Sequence, residues 1–167
     1  MRVYVESSVF GKYTNLADQQ TAEELFKRFR TNRYRVMISE LVESELRRSA
    51  KSVRALFNDI LKLQNTQYIS ITDEALELRQ AYLDAGVVGK KSANDALHVA
   101  LATIAMCSLL TSFDRSHIVK SGKIWYFNQV NQKEGYAPIN IWYPSQFLFL
   151  SDTLSTIYAE SKEEVSI

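Results

Sequence analysis

The chain has 167 residues, 46% of them hydrophobic and 23% charged, with a formal net charge of +1. That length suits one domain with its own core, and so balanced a charge gives no global field for nucleic acid, so any such contact must come from local patches. Five Gly and two Pro exclude collagen-like, disordered and repeat architectures, and a single cysteine, Cys107, excludes an internal disulfide.

Residues 2–6 read as a short buried strand ending in Glu6, with Ser7 and Ser8 placed to cap a helical turn. Ala22, Leu25, Phe26 and Phe29 repeat at helical spacing and predict an amphipathic helix over about 20–30. A second strand is expected over 34–38, and Ser39 is a good N-cap for the helix that follows to about Arg48. Val53, Leu56, Phe57, Ile60 and Leu61 mark a helix over 53–64, and 68–71 reads as a strand. Thr72 and Ala75 to Ala85 give a helix ended near Gly86, and 92–106 forms the longest apolar helix. Then come a strand over 107–112, a loop or helical turn from Asp114 to Val119, a strand near 123–127, and a strand over 139–142. Pro144 suits the first position of a short helix.

Strands alternating with helices predict an α/β sandwich with a mainly parallel sheet. No linker is visible, so one domain is expected over 1–150, with 151–167 as a C-terminal helix or tail. Cys107 reads as a small buried hydrophobe in a reducing compartment. No apolar run approaches the ~18 residues of a membrane span, and no signal-peptide core is visible. A cytoplasmic protein with no membrane partner is the expectation.

Four acids stand where a hydrolase would put metal ligands. Glu6 and Asp114 follow strands, and ligands in open parallel sheets bind beyond such carboxyl ends. Glu45 shares a helix face with Leu41, Val42 and Ser49, where a carboxylate is costly unless paired or metal-bound. Asp95 opens the apolar helix, and Ser92 or Asn94 could cap it instead. Carboxylates gathered at one edge repel, which points to a bound cation. Hard oxygen ligands suit Mg²⁺ or Mn²⁺, no Cys/His set suits zinc, and such an ion points to phosphate chemistry. A G-x-x-x-x-G-K phosphate loop and the paired acids of a receiver domain are both missing.

Val3-Tyr4-Val5-Glu6-Ser7-Ser8-Val9, Ile38 to Leu46, Asn94-Asp95-Ala96-Leu97-His98-Val99-Ala100 and Leu110-Thr111-Ser112-Phe113-Asp114 resemble, in order, the motifs of PIN domains. Val130-Asn131 with Gly135-Tyr136, then Ile139 to Pro144, resembles the ending of the VapC toxin type, so the likeness covers roughly residues 1–150. It implies a three-layer α/β/α sandwich and a Mg²⁺/Mn²⁺-dependent endoribonuclease leaving a 5′-phosphate. By motif match Glu6, Glu45, Asp95 and Asp114 fall on the four catalytic acids, with Glu6, Asp95 and Asp114 as metal ligands. Ser8 and Ser112 fall on supporting hydroxyl positions. The first acid is usually Asp, and here it is Glu6. The resemblance also implies the toxin of a type II pair, with an RNA substrate, a small antitoxin partner and a homodimer. The alternative class is a degenerate PIN module that binds RNA or a protein without cutting.

Arg47 and Arg48 follow Glu45, and Lys90 and Lys91 precede Asp95, so these are the candidate RNA-binding cations. His98 is read as a packed, hydrogen-bonded core residue and His117 as a residue that orders the loop after Asp114; neither is assigned to catalysis. Trp142, Tyr143, Phe147 and Phe149 are candidates for an interface, with core packing as the competing use.

Overall fold

The computed structural model describes residues 1–153. Five strands form one parallel sheet: β1 (Arg2–Val5), β2 (Arg35–Ser39), β3 (Thr66–Ile69), β4 (Leu109–Thr111) and β5 (Asn140–Trp142), in the order β3-β2-β1-β4-β5. The helices are α1 (Ser7–Lys12), α2 (Gln19–Phe29), α3 (Glu40–Leu46), α4 (Lys51–Leu61), α5 (Asp73–Asp84), α6 (Ala93–Ile104) and α7 (Ser121–Lys133), with a 3₁₀ turn over Lys90–Ser92. An eighth, α8, runs over 144–153 and starts at Pro144. The tail expected over 151–167 falls mostly outside the described residues.

Parallel strands need crossover helices, and these cover both faces of the sheet. The covered strands β1 and β2 are accordingly buried almost throughout. α5, α6 and α7 pack together in one layer, while α1 packs against α2, α3 and α4 in the other. An aromatic run ties the second layer: Phe57, Phe10, Phe26, Phe29 and Phe147 touch in succession, with ring centroids 5.1–6.2 Å apart. Phe147 is therefore core rather than interface, whereas Phe149 is 71% exposed.

Helix ends follow local chemistry. Ser39 Oγ accepts the Val42 N–H and caps α3, and Thr72 Oγ1 accepts the Ala75 N–H and caps α5. α5 ends on Gly86 at φ +69°, where the N–H of Val87 reaches the Tyr82 carbonyl and that of Gly86 reaches Leu83. α7 ends the same way on Gly135, with Tyr136 N–H on the Asn131 carbonyl. α6 copies the arrangement with Met106 at φ 52°, a strained choice for a residue bearing a Cβ.

Two local expectations fail. Ser7 and Ser8 do not cap α1; the Glu6 side chain does, accepting the Ser8 N–H. The strand near 123–127 is instead the body of α7. Ile124, Trp125, Tyr126 and Phe127 are strand formers by propensity, but burial repeats at Phe127, Val130 and Asn131, which is helical spacing. Asn131 is fully buried and held by the Tyr82 hydroxyl and by its own amide donating to Thr103 Oγ1 at 3.3 Å. Among the described residues no helix is long and apolar enough to cross a membrane.

An alanine Cβ at Gly86 would meet nothing within 4 Å. Gly86→Ala should therefore lose only the left-handed backbone preference, about 1 kcal/mol. Urea unfolding measures it, and an unchanged midpoint would contradict the αL account of this helix end.

Candidate metal and catalytic site

β1 and β4 are neighbours at the middle of the sheet, and the chain leaves them toward opposite ends of the strand order. Their carboxyl ends define the crevice where open α/β sheets bind ligands. Glu6 directly follows β1, and Asp114 lies three residues beyond β4. Glu45 lies near the end of α3, the helix that leaves β2, and Asp95 lies in the first turn of α6.

The acids form two adjoining groups, each completed by a histidine. Glu6, Glu45 and His98 offer ligand atoms within 4.8 Å of one another, as do Asp95, Asp114 and His117. Ser112 joins the groups: its Oγ donates to Glu6 Oε2 at 2.7 Å and accepts the Asp114 N–H at 2.9 Å.

Glu6 is buried, at 5% exposure, and its carboxylate accepts four hydrogen bonds. Oε1 takes the Ser7 hydroxyl at 2.7 Å and the Ser8 N–H at 3.0 Å; Oε2 takes the hydroxyls of Ser8 and Ser112. Ser7 has a single hydroxyl proton to give to Glu6 or to Glu45, so three donors are reserved for Glu6 and the fourth is shared. The extra methylene of Glu over Asp lets one side chain cap α1 and also reach Ser112 beyond β4.

Glu45 is the most open of that group, with 27% of its side chain exposed. Burial works against its charge, but hydrogen bonding by His98, with Ser7 and Asn94 beside it, outweighs that and holds the carboxyl below its ordinary value. His98 Nε2 lies 3.0 Å and Ser7 Oγ 2.6 Å from Oε2, and Asn94 Nδ2 lies 3.3 Å from Oε1. Ser7 thus bridges Glu6 and Glu45, a link that two adjacent serines after a strand do not signal in sequence.

The second group behaves oppositely. Burial pushes the Asp95 carboxyl up; Ser92 opposes this by hydrogen bonding, and the nearby Asp114 charge adds to the rise. His117 orders the Asp114 loop as expected: its N–H donates to Asp114 Oδ1 at 3.0 Å, and Nδ1 lies 3.2 Å from Oδ2. The same nitrogen is 3.9 Å from Asp95 Oδ2, a contact the sequence reading did not foresee. His98 is the packed core histidine expected, at 2% exposure.

The donor set fits a hard divalent cation. Asp95 and Asp114 present carboxylate oxygens together beside His117, at a place where burial disfavours the Asp95 charge. Arg47, Arg48, Lys90 and Lys91 are all exposed. Cavities of about 630 and 650 Å³ lie along β5 and behind β4, and none of the four acids lines either.

A family model described as the PIN domain matches residues 3–122. VapBC2 from Rickettsia felis, solved bound to a DNA fragment from its promoter, has the same fold, with a TM-score of 0.54 at 13% identity over 86% of this chain and 98% of that one. VapC20 of Mycobacterium tuberculosis, a sarcin–ricin loop cleaving toxin, also scores 0.54, at 18% identity over 82% of this chain and 98% of its own. No curated protein matches the chain.

Asp95 holds its proton more tightly folded than unfolded, so stability falls as pH rises through the window between the two pKa values. Glu45 has the opposite sign: its contribution is present above its unfolded pKa and is lost as pH falls through the folded one. Without divalent ions, Asp95→Asn should be more stable than the wild type at neutral pH, with the gain shrinking in acid. Urea unfolding at the two pH values tests this; a variant less stable at neutral pH would show that the Asp95 charge is already compensated.

Proposed function

The chain belongs to the PIN domain family, and from that premise we propose that it is a Mg²⁺- or Mn²⁺-dependent endoribonuclease, the toxin of a type II toxin–antitoxin pair. The observation that carries this reading is the Asp95–Asp114 pair: two carboxylates from separate elements, held together at the carboxyl edge of the sheet with one charge disfavoured. The fold shared with VapBC2 and with the sarcin–ricin loop cleaving toxin VapC20 supports it.

In this reading Asp95 and Asp114 would hold the ion, with Glu6 as a third ligand if a Ser8 or Ser112 hydroxyl turned away from its carboxylate. A bound divalent ion supplies Lewis acidity, polarising a phosphate oxygen and acidifying a water. Glu45, kept ionised by His98, Ser7 and Asn94, orients the attacking water and takes its proton. Water adds to phosphorus as the bond to the 3′ oxygen breaks, and the departing 3′ oxygen takes a proton from solvent, leaving a 5′-phosphate and a 3′-hydroxyl. Arg47, Arg48, Lys90 and Lys91 grip flanking phosphates, which fixes register without reading sequence. Ser8 and Ser112 set the angle of Glu6. The partners that go with this role are an RNA substrate, a small antitoxin and a second copy of the chain in a cytoplasmic setting. Exposed Trp125, Tyr126 and Phe149 offer apolar surface for such contacts.

The wild-type chain should cut a total RNA pool with Mn²⁺ or Mg²⁺ and stop on addition of EDTA. Asp95→Asn and Asp114→Asn should each abolish cutting while remaining folded, and millimolar Mn²⁺ should raise the melting temperature of the wild type alone. RNA retained but never cut, with no Mn²⁺ stabilisation, would favour the non-cleaving module instead.

A further inference from the structure

His98 links the core of the protein to Glu45. Tyr4 is fully buried in β1, and its hydroxyl has two partners: Ser39 Oγ at 2.6 Å and His98 Nδ1 at 2.8 Å. Ser39 Oγ also accepts the Val42 N–H at the start of α3, the helix that carries Glu45. On the other side of the ring, Nε2 lies 3.0 Å from Glu45 Oε2. An ionised carboxylate only accepts, so the proton of this contact sits on Nε2. In the neutral imidazole Nδ1 is then a lone pair, and Tyr4 must donate to it. Ser39 in turn donates to Tyr4. One direction satisfies every buried atom: Ser39 to Tyr4, Tyr4 to His98, His98 to Glu45.

We propose that His98 is a positioning residue for cleavage: locked in its Nε2–H tautomer by Tyr4, it fixes the direction of the Glu45 carboxylate beside Glu6 at the carboxyl edge of the sheet. The proposal rests on the nuclease reading above for what Glu45 does, but not for the hydrogen bond itself. Glu45 is partly exposed and its helix is short, so its carboxylate relies on its donors to keep one direction. Ser7 and Asn94 hold it from other sides. They come from α1 and α6, whereas the His98 chain is anchored in two strands of the sheet, β1 and β2. Partners that orient a functional carboxylate in this way act through geometry rather than through the substrate.

Two measurements test it. Nitrogen-15 NMR of the wild-type imidazole at neutral pH should find a proton on Nε2; an unprotonated Nε2 would overturn the proposal whether or not the chain cuts RNA. With a defined RNA oligonucleotide and saturating Mn²⁺, His98→Leu should lower kcat by about 10- to 100-fold. KM should stay within about twofold, because Glu45 is not assigned to RNA binding. His98→Gln keeps an N–H near the Nε2 position and should recover most of the loss, and Tyr4→Phe should fall between the two. Unchanged kcat in His98→Leu, or equal losses in Leu and Gln, would overturn it. Should His98→Leu fail to fold, the Gln and Phe variants and the wild-type spectrum still decide. A wild-type chain that cuts no RNA would remove the nuclease reading, and the nitrogen spectrum would still report whether His98 donates to Glu45.

Discussion

Repulsion between carboxylates gathered two by two at one edge of a parallel sheet is the constraint around which the rest is arranged. Two unit charges about 4 Å apart repel by about 4 kcal/mol near a protein surface. The chain answers that repulsion unevenly. Glu6 is enclosed by three serine hydroxyls and a backbone N–H, and Glu45 by an imidazole, a hydroxyl and an amide. Asp95 and Asp114 share His117 and are left with one carboxyl pushed up. That pair, with the Asp95 charge disfavoured by burial, is where a bound cation would relieve the most.

This unevenness explains how Glu can stand where the family usually has Asp. A longer arm lets the first acid cap α1 and reach the hydroxyl beyond β4 with one side chain. It thereby fastens β1, α1 and the segment after β4 to one carboxylate. That junction fixes the crevice, and Ser112 passes the order on to the Asp114 backbone. Sheet topology supplies the rest, because β1 and β4 are adjacent although about a hundred residues of chain lie between them.

Much of this was legible in the sequence, for physical reasons. Apolar runs flanked by caps located β1, β2 and the helices that follow them, and Ser39, Thr72 and Gly86 act at their helix ends as their chemistry predicts. The strand near 123–127 misled because a run of aromatic and β-branched residues is ambiguous between periods until burial is known. Phe127, Val130 and Asn131 are buried and Ile124 packs against the core, while two of the aromatics, Trp125 and Tyr126, lie open. The division of the acids into two groups was not legible, since it depends on rotamers and on serines that look like ordinary cap residues. The bridges made by Ser7 and His117 belong to the same class. A short polar side chain after a strand is common, and only three-dimensional placement shows what it joins. His98 had a partial signal: a histidine on a fully apolar helix face needs buried partners for both nitrogens, and Tyr4 and Glu45 are those partners.

The central claim is that Asp95 and Asp114 form the seat of a hard divalent ion. Anomalous diffraction from a crystal soaked in manganese tests it most directly. The account predicts a single strong anomalous peak within coordination distance of both carboxylates, absent from crystals of Asp95→Asn. A map with no peak there, or a peak unaffected by the substitution, would contradict it.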